Sequence, residues 1–189
     1  MAAAEPIRDP KQVKKLLHYF YDLGQYRNHI MISLGIYTAL RIGDILKLKC
    51  DDVYDFQNGK VRKFIHLTEG KTKKSKTIKV HRDLKKALET YISQAAPGLP
   101  LVLNSRTGKA ITRIQAFRII KDAAKAIDIS QGASCHSLRK TFGYHCWKSG
   151  ISPVIIMEIY NHTVYSTTRR YIGVNQDDKN IAYGKLLFS

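Results

Sequence analysis

Cysteine is scarce in this chain, and long apolar runs are absent. The 189 residues include only Cys50, Cys135 and Cys146, an odd number without a CxxC pair. This count argues against a disulfide framework and favours a reducing compartment. The longest apolar stretch, Ile30–Leu40, is interrupted by Ser33 and Thr38 and is far shorter than the roughly 20 residues that cross a bilayer. There is no signal-peptide pattern, and the length excludes a large multidomain machine.

Acidic residues are also few. Fifteen Asp and Glu stand against 32 Lys and Arg, which gives a formal net charge of +17. A protein with this charge needs a polyanion or an anionic surface as counter-charge, so nucleic acid is the leading partner. Five lysines crowd one predicted hairpin tip: Lys71, Lys73, Lys74, Lys76 and Lys79. They fit contacts to DNA phosphates and equally fit a charged edge that protects exposed strands.

The apolar periodicity predicts a mainly α chain with a small antiparallel β-sheet, an α+β fold in one domain. A strand is expected over Val61–Leu67 after the turn Asn58-Gly59, with Ile78 and Val80 in its return strand. Another short strand is expected over Leu101–Leu103. The predicted helices run from Pro10 to near Gly24, about Tyr26–Leu40, through Ile42–Leu46, about Asp83–Ala95, about Thr112–Ile127, Ser134–Lys148, Pro153–Tyr160 and Ser166–Ile172.

Several residues in this framework could carry chemistry. His136 and Arg139 are three apart at the start of a predicted helix, so they share a face and can converge on one anion. Arg41 follows a buried helix and needs an anionic partner, which Asp44 or a phosphate could supply. Taken singly, His136 could be a capping histidine and Arg139 a surface arginine. Tyr171 could likewise be one packed tyrosine among the eleven in the chain.

The pieces together resemble the catalytic domain of the tyrosine recombinases, the phage integrase family. The resemblance runs from about Val13 to Ile172 and rests on five motif pieces in the family's order and spacing. These are the stretch Thr38-Ala39-Leu40-Arg41-Ile42-Gly43-Asp44-Ile45-Leu46-Lys47-Leu48, the hairpin Lys71, the pair His136-x-x-Arg139, His162, and Tyr171 nine residues later. It implies the tyrosine recombinase catalytic-domain fold and a site-specific DNA recombinase or integrase of a mobile element.

The resemblance implies a strand-transfer site that uses neither a metal nor a nucleotide cofactor. Its catalytic residues would be Arg41, Lys71, His136, Arg139, His162 and Tyr171. Tyr171 would be the nucleophile that forms a 3′-phosphotyrosyl bond and frees a 5′-hydroxyl. The two arginines and His162 would bind the phosphate oxygens. Lys71 would be the general acid, and His136 would assist proton movement at the phenol.

The remaining assignments surround that site. Asp44 would not touch the DNA but would orient the residues that do. Lys73 or Lys74 could replace Lys71 as the general acid if the hairpin register differs. The residues expected to contact DNA are Lys73, Lys74, Lys76, Arg113 and Lys140.

The expected domain organisation has three parts. Residues 1–8 are a disordered start or an appended tail, 9–173 are the catalytic domain, and 174–189 are a tail. The tail docks on a neighbouring protomer or folds back through Ile181, Leu186, Leu187 and Phe188. The family's amino-terminal core-binding domain is expected to be absent, which fits an excised domain or a minimal recombinase. The expected partners are a double-stranded recombination site and other protomers in a DNA-bound tetramer, in the cytoplasm at the nucleoid.

Three other interpretations remain. A type IB topoisomerase would use a similar set of residues. A basic DNA-binding or regulatory module would carry them without catalysis. A zinc site formed by Cys135, His136, His145 and Cys146 is a third possibility, although these adjacent pairs lack the usual ligand gaps.

Overall fold

The computed structural model of the protein describes residues 4–93, 95–129, 132–174, 178, 180, 183 and 184. Helices dominate these ranges. They are α1 (Pro10–Asp22), α2 (Tyr26–Thr38), α3 (Ile42–Ile45), α4 (Cys50–Val53), α5 (Arg82–Ile92), α6 (Arg113–Ala126), α7 (Cys135–Lys148), α8 (Pro153–Tyr160) and α9 (Tyr165–Ile172). The strands are β1 (Tyr54–Asp55), β2 (Lys60–Val61), β3 (Phe64–Thr68), β4 (Ser75–Lys79), β5 (Leu103–Asn104) and β6 (Lys109–Ala110). The α+β prediction is confirmed.

Helix α2 lies at the centre of the core. It is apolar on most sides, and α1, α5 and α7 pack around it. Gly35 allows the close approach of α7, because a Cβ atom there would lie 2.8 Å from Cδ1 of Leu138. The apolar runs that predicted a central helix therefore correspond to burial on all sides.

The strands form three separate antiparallel pairs, β1–β2, β3–β4 and β5–β6. The longest pair, β3–β4, aligns Ile65 with Ile78 and Thr68 with Ser75. Ile65 and Ile78 are buried, Leu67 and Lys76 are partly buried, and the remaining side chains of the pair are exposed. This hairpin carries the lysine-rich tip and presents it beside the amino-terminal end of α3.

Several predicted boundaries were wrong for local reasons. Helix α2 ends at Thr38, because Ala39 adopts a left-handed conformation with φ of 57°. The strand predicted over Val61–Leu67 is divided between β2, which pairs with β1, and β3. The strand predicted over Leu101–Leu103 is confined to β5, whose partner β6 the pattern missed. Pairs of two residues are too short to give a period-two signal.

Residues 6–8, expected to be part of a disordered start, are buried or partly buried, and Ile7 and Arg8 contact α7. Ile7 is fully buried, its amide donates to Oγ1 of Thr141 at 2.9 Å, and its carbonyl lies 3.0 Å from Nε2 of His145. Arg8 donates to the carbonyl of Gly173 at 3.1 Å. One apolar residue was too short a signal to predict this segment.

Most of the predicted tail, including Ile181, Leu186, Leu187 and Phe188, lies outside the described residues. In the part of the chain that the structure does describe, no helix combines the length and apolarity needed to cross a membrane.

Gly143 should tolerate no side chain. A Cβ atom there would lie 2.9 Å from Cε2 and Cζ of Tyr160 and closer still to Oη. Such overpacking costs about 1–3 kcal/mol, so Gly143→Ala should lower the free energy of unfolding by that amount in urea denaturation. Because Tyr160→Phe removes the nearest clashing atom, the double variant should lose less than the sum of the two single losses. Strict additivity would contradict the assigned contact.

Candidate active site

Arg41 stands where α2 breaks and α3 begins. Thr38 closes α2 by donating its hydroxyl to the carbonyl of Leu34 at 2.6 Å, and the left-handed Ala39 turns the chain. Arg41 then caps α3 in an extended conformation. Its ionic partner is Glu69, with Nη1 3.0 Å from Oε2. The internal anion that Arg41 was expected to need is therefore Glu69, where the sequence suggested Asp44.

Arg139 is buried, with 1% of its side chain exposed. Its Nη1 donates to the carbonyl of Ala39, and its Nη2 donates to the carbonyl of Tyr160 at 3.0 Å. The guanidinium also lies 4.6 Å from the ring centroid of Tyr160. Burial and the nearby charge of Arg41 lower the pKa of Arg139 from its usual value.

His136 and Tyr171 meet at one end of this cluster. Ser134 begins α7 with a capping box, so His136 lies one turn before Arg139. Oη of Tyr171, on α9, lies 2.5 Å from Nε2 of His136. Burial lowers the pKa of His136, and the charge of Arg139 lowers it further. The neutral imidazole is thereby favoured beside the phenol at neutral pH.

His162 follows Asn161, which ends α8 in a left-handed conformation with φ of 54°. Its ring centroid lies 4.7 Å from that of Tyr171, and its Nδ1 lies 3.0 Å from Oγ1 of Thr168. Burial and the charge of Arg139 lower the pKa of His162 to about 4. A second neutral histidine therefore lies beside the buried arginine.

The hairpin tip reaches the same site through a glycine. The amide of Gly70 donates to Oδ1 of Asp44 at 2.9 Å, and a Cβ atom at Gly70 would lie 2.9 Å from Nζ of Lys47. A glycine thus lets the hairpin dock closely on α3. Lys71, the next residue, is exposed and lines the cavity described below.

The other predicted lysines divide into two groups. Lys73 and Lys74 are exposed at the hairpin tip. Lys76, expected to contact DNA, instead points inward: 10% of its side chain is exposed, and Nζ donates to the carbonyl of Ile159 at 2.7 Å. Burial and the charge of Arg139 lower the pKa of Lys76 to about 8. Lys140, also assigned to DNA, is buried with Nζ 5.6 Å from the ring centroid of Tyr171.

Glu69 is the polar residue that the sequence analysis missed. It is fully buried and accepts hydrogen bonds from Asn161 at 3.0 Å and from Thr72 at 2.8 Å. Burial alone would raise its pKa, but these hydrogen bonds and the charges of Arg41 and Lys76 lower it overall. The one sequence signal was an acidic residue at the start of a lysine-rich tip.

These elements enclose a basic cavity of about 420 Å³. Asp44 is the one acidic side chain that lines it in the described ranges; the basic ones are Arg41, Lys47, Lys71, Arg113, His136 and Arg139. Such a cavity attracts an anion. It brings together four of the six predicted catalytic residues, and Arg113 among those assigned to DNA. The other two, His162 and Tyr171, stand beside Arg139.

Unmatched polar atoms concentrate here as well. Four buried side-chain atoms lack a hydrogen-bond partner among the described residues: Nη1 of Arg41, Oδ2 of Asp44, Oε1 of Glu69 and Nε of Arg139. The 3.0 Å ion pair between Arg41 and Glu69 is thus not aligned as a hydrogen bond. Buried polar groups are normally satisfied, so this cluster calls for an explanation. Two of its atoms, Nη1 of Arg41 and Nε of Arg139, are donors.

The residues of the alternative zinc interpretation do not form a metal site. Across the described ranges, no group of three or more His, Cys, Asp or Glu side chains is arranged to hold a metal ion. His136 instead contacts Tyr171, and His145 contacts the backbone of Ile7.

The fold is that of the tyrosine recombinases. The solved structure of XerA recombinase matches with a TM-score of 0.80 at 22% identity, over 99% of this chain and 68% of that one. A XerH site-specific recombinase bound to palindromic difH substrate matches with a TM-score of 0.76 at 18% identity, over 98% of this chain and 54% of that one.

The chain belongs to the phage integrase family, whose model matches residues 8–178. The probable integrase/recombinase YoeC of Bacillus subtilis (strain 168) is 36% identical over 183 residues, 97% of each chain. A tyrosine recombinase of Pseudothermotoga lettingae is 28% identical over 94% of this chain and 59% of that protein. The chain therefore spans nearly all of one relative and a little over half of another.

Acidification from pH 7 to pH 5 should lower the melting temperature, and His162→Gln should reduce that loss. The pKa of His162 is about 4 in the folded chain against an ordinary 6.5. Between these values the unfolded chain binds a proton that the folded chain does not, so stability falls as pH falls. Thermal melts at constant ionic strength measure the slope. Equal slopes in the wild type and the variant would contradict this origin.

Proposed function

We propose that this protein is a site-specific DNA recombinase, or integrase, that cleaves and rejoins strands through a 3′-phosphotyrosyl intermediate. The observation that carries the proposal is the placement of Tyr171. Its Oη lies 2.5 Å from Nε2 of His136, and its ring lies 6.0 Å from Cζ of Arg139. A phenol thus contacts a proton acceptor and stands beside a buried cation, and the last two line the cavity that suits a phosphate.

In the cleavage step, Oη of Tyr171 attacks the scissile phosphorus while the bond from phosphorus to the 5′-oxygen breaks. A phenol with a pKa of about 10 is ionised to only about one part in a thousand at pH 7, so the attack needs a proton acceptor. His136 serves, because its lowered pKa favours the neutral imidazole. The phenolic proton passes to Nε2.

Negative charge grows on the non-bridging oxygens in this step. Arg41 and Arg139 line the cavity, and Nε of Arg139 has no other acceptor in the described part of the chain. Nδ1 of His162 lies 3.0 Å from Oγ1 of Thr168. We assign the tautomer in which the Thr168 hydroxyl donates to Nδ1, so that the neutral imidazole carries its proton on Nε2 and can donate it to a phosphate oxygen. Each such donor contributes about 3–4 kcal/mol to the transition state.

The departing 5′-oxygen takes a proton from a general acid, which we assign to Lys71. It is the lysine of the exposed hairpin tip that lines the cavity. Lys76 is held by Glu69 and by the carbonyl of Ile159 instead. The phosphotyrosyl bond retains the energy of the phosphodiester, so rejoining is the reverse step and no nucleotide cofactor enters the balance.

The proposed substrate is a double-stranded recombination site, bound by several protomers. The net charge of +17 suits a duplex, and the XerH relative in fold was solved on its difH substrate. Val154 and Ile155 of α8 are 57% and 50% exposed, an apolar face that a neighbouring protomer could cover. In a bacterial cell, such an enzyme would act at the nucleoid.

Tyr171→Phe should abolish covalent attachment to DNA, whereas Tyr165→Phe should not. Tyr165 begins the same helix, and 49% of its surface is exposed. The probe is a library of nicked suicide duplexes with random base pairs on both sides of the nick. Adducts that survive SDS are recovered from the wild type and sequenced, and one selected duplex serves for kinetics.

The outcomes separate the competing functions. An adduct with the wild type and with Tyr165→Phe, but not with Tyr171→Phe, supports the recombinase chemistry. DNA binding without any adduct would favour the non-catalytic DNA-binding module. An adduct that persists in Tyr171→Phe would assign the nucleophile to another residue.

Lys71→Ala should slow cleavage of the selected duplex by about 10²–10⁴-fold, as expected for loss of a general acid. A duplex with sulfur at the 5′-bridging position should restore most of that rate, because a thiolate leaves without protonation. Lys73→Ala and Lys74→Ala are the matched controls from the same tip and should change neither rate appreciably. If sulfur restored the rate of Lys73→Ala or Lys74→Ala instead of that of Lys71→Ala, the lysine replaced in that variant would be the general acid.

A further inference from the structure

Arg139 and Arg41 are held very differently in the absence of DNA. Arg139 donates to two backbone carbonyls, those of Ala39 and Tyr160, and its guanidinium stacks on the Tyr160 ring. Arg41 has 21% of its side chain exposed, and its one ionic contact in the described ranges is with Glu69. Two like charges lie close together at this point. The position of Arg41 therefore depends on that carboxylate.

Glu69 is itself held rigidly. None of its side chain is exposed, and Oε2 accepts from Asn161 and Thr72. Oε1 lies 3.8 Å from Nη1 of Arg139 and 3.9 Å from Nζ of Lys76. A carboxylate buried this deeply and surrounded by cations is expensive to remove, because its partners would remain as unpaired buried charges.

The same carboxylate joins three parts of the chain. Glu69 follows β3 directly, Arg41 is the N-cap residue of α3, and Asn161 is the C-cap residue of α8, immediately before His162. Lys76 reinforces the connection by donating from β4 to the carbonyl of Ile159. The tip that carries Lys71 and the turn that carries His162 are thus tied to one point.

We propose that Glu69 is a positioning residue that holds the guanidinium of Arg41 beside that of Arg139, in the arrangement that the phosphate requires. The inference rests on the proposed function for its catalytic consequence. Glu69 offsets the repulsion between the two arginines and orients Arg41 without touching the DNA. Misplacement of a catalytic group by about 1 Å can cost a hundredfold in rate, so loss of this carboxylate should slow the chemical step.

The test compares Glu69→Gln with Glu89→Gln. Both variants remove one carboxylate, and Glu89 is a half-exposed residue of α5 that pairs with Lys85 at 3.5 Å, outside the site. The first measurement is the ¹⁵N relaxation of the arginine Nε–H groups in the DNA-free protein. In Glu69→Gln the order parameter of Arg41 should fall to below about 0.6, while that of Arg139, held by its carbonyls, should stay high. Both arginines should be rigid in the wild type and in Glu89→Gln.

The second measurement separates binding from chemistry on the selected suicide duplex. Glu69→Gln should slow single-turnover adduct formation about tenfold or more, while its dissociation constant for the duplex should change less than about threefold or tighten, since a negative charge has left the site. A merely structural role would weaken binding and chemistry together. If Glu69→Gln does not fold, Glu69→Asp, which keeps the charge but shortens the reach, should show the same two effects at smaller size.

Two results would overturn the inference: an Arg41 as rigid in the variant as in the wild type, or an adduct rate within twofold of that of Glu89→Gln. Failure of the proposed function is distinguishable. It would leave the wild type and Glu89→Gln without any adduct, and the relaxation measurement would still decide whether Glu69 holds Arg41.

Discussion

The buried guanidinium of Arg139 is the constraint on which the other parts of the structure depend. Burying a charge costs several kcal/mol unless it is paired and hydrogen-bonded, and 1% of the Arg139 side chain is exposed. The chain meets that cost with the carbonyls of Ala39 and Tyr160 and with the carboxylate of Glu69. These acceptors come from the end of α2, the end of α8 and the β3–β4 hairpin, so one side chain ties together the segments next to Arg41, His162 and Lys71.

The same cluster is left incompletely satisfied. Arg41, Asp44, Glu69 and Arg139 each keep one buried polar atom without a hydrogen-bond partner among the described residues. A site that matched all of these atoms internally would be more stable and would have nothing to offer a phosphate oxygen. Natural proteins commonly give up stability at their functional sites in this way. Two of the four atoms, Nη1 of Arg41 and Nε of Arg139, are donors, so the basic cavity keeps N–H groups from which an anion can accept.

Burial and the positive charge of the site also change the pKa values of the titratable side chains around it. Burial and the arginines lower the pKa values of His136 and His162, so both rings are favoured in the neutral form at neutral pH. One ring can then accept a proton from a phenol, and the other can donate a hydrogen bond. The exposed Lys71 stands apart from the buried Lys76, whose pKa is about 8. In the function proposed above, these different surroundings give similar side chains different tasks.

The sequence by itself determined the α+β class, the family and most helix starts, although it gave no sign of α4. Caps and prolines such as Ser134 and Pro153 are local signals, and the motif residues from Arg41 to Tyr171 keep a recognisable order. Strands of two residues such as β1 and β2 are too short to give a periodic signal. Ile7 left no signal because its burial depends on α7, far along the chain. Only the tertiary structure decided that Lys76 and Lys140 turn inward and that Glu69 joins Arg41 to Arg139. Charge alone does not tell a lysine at the surface from one in the interior, and a carboxylate acquires its partners only when distant segments fold together.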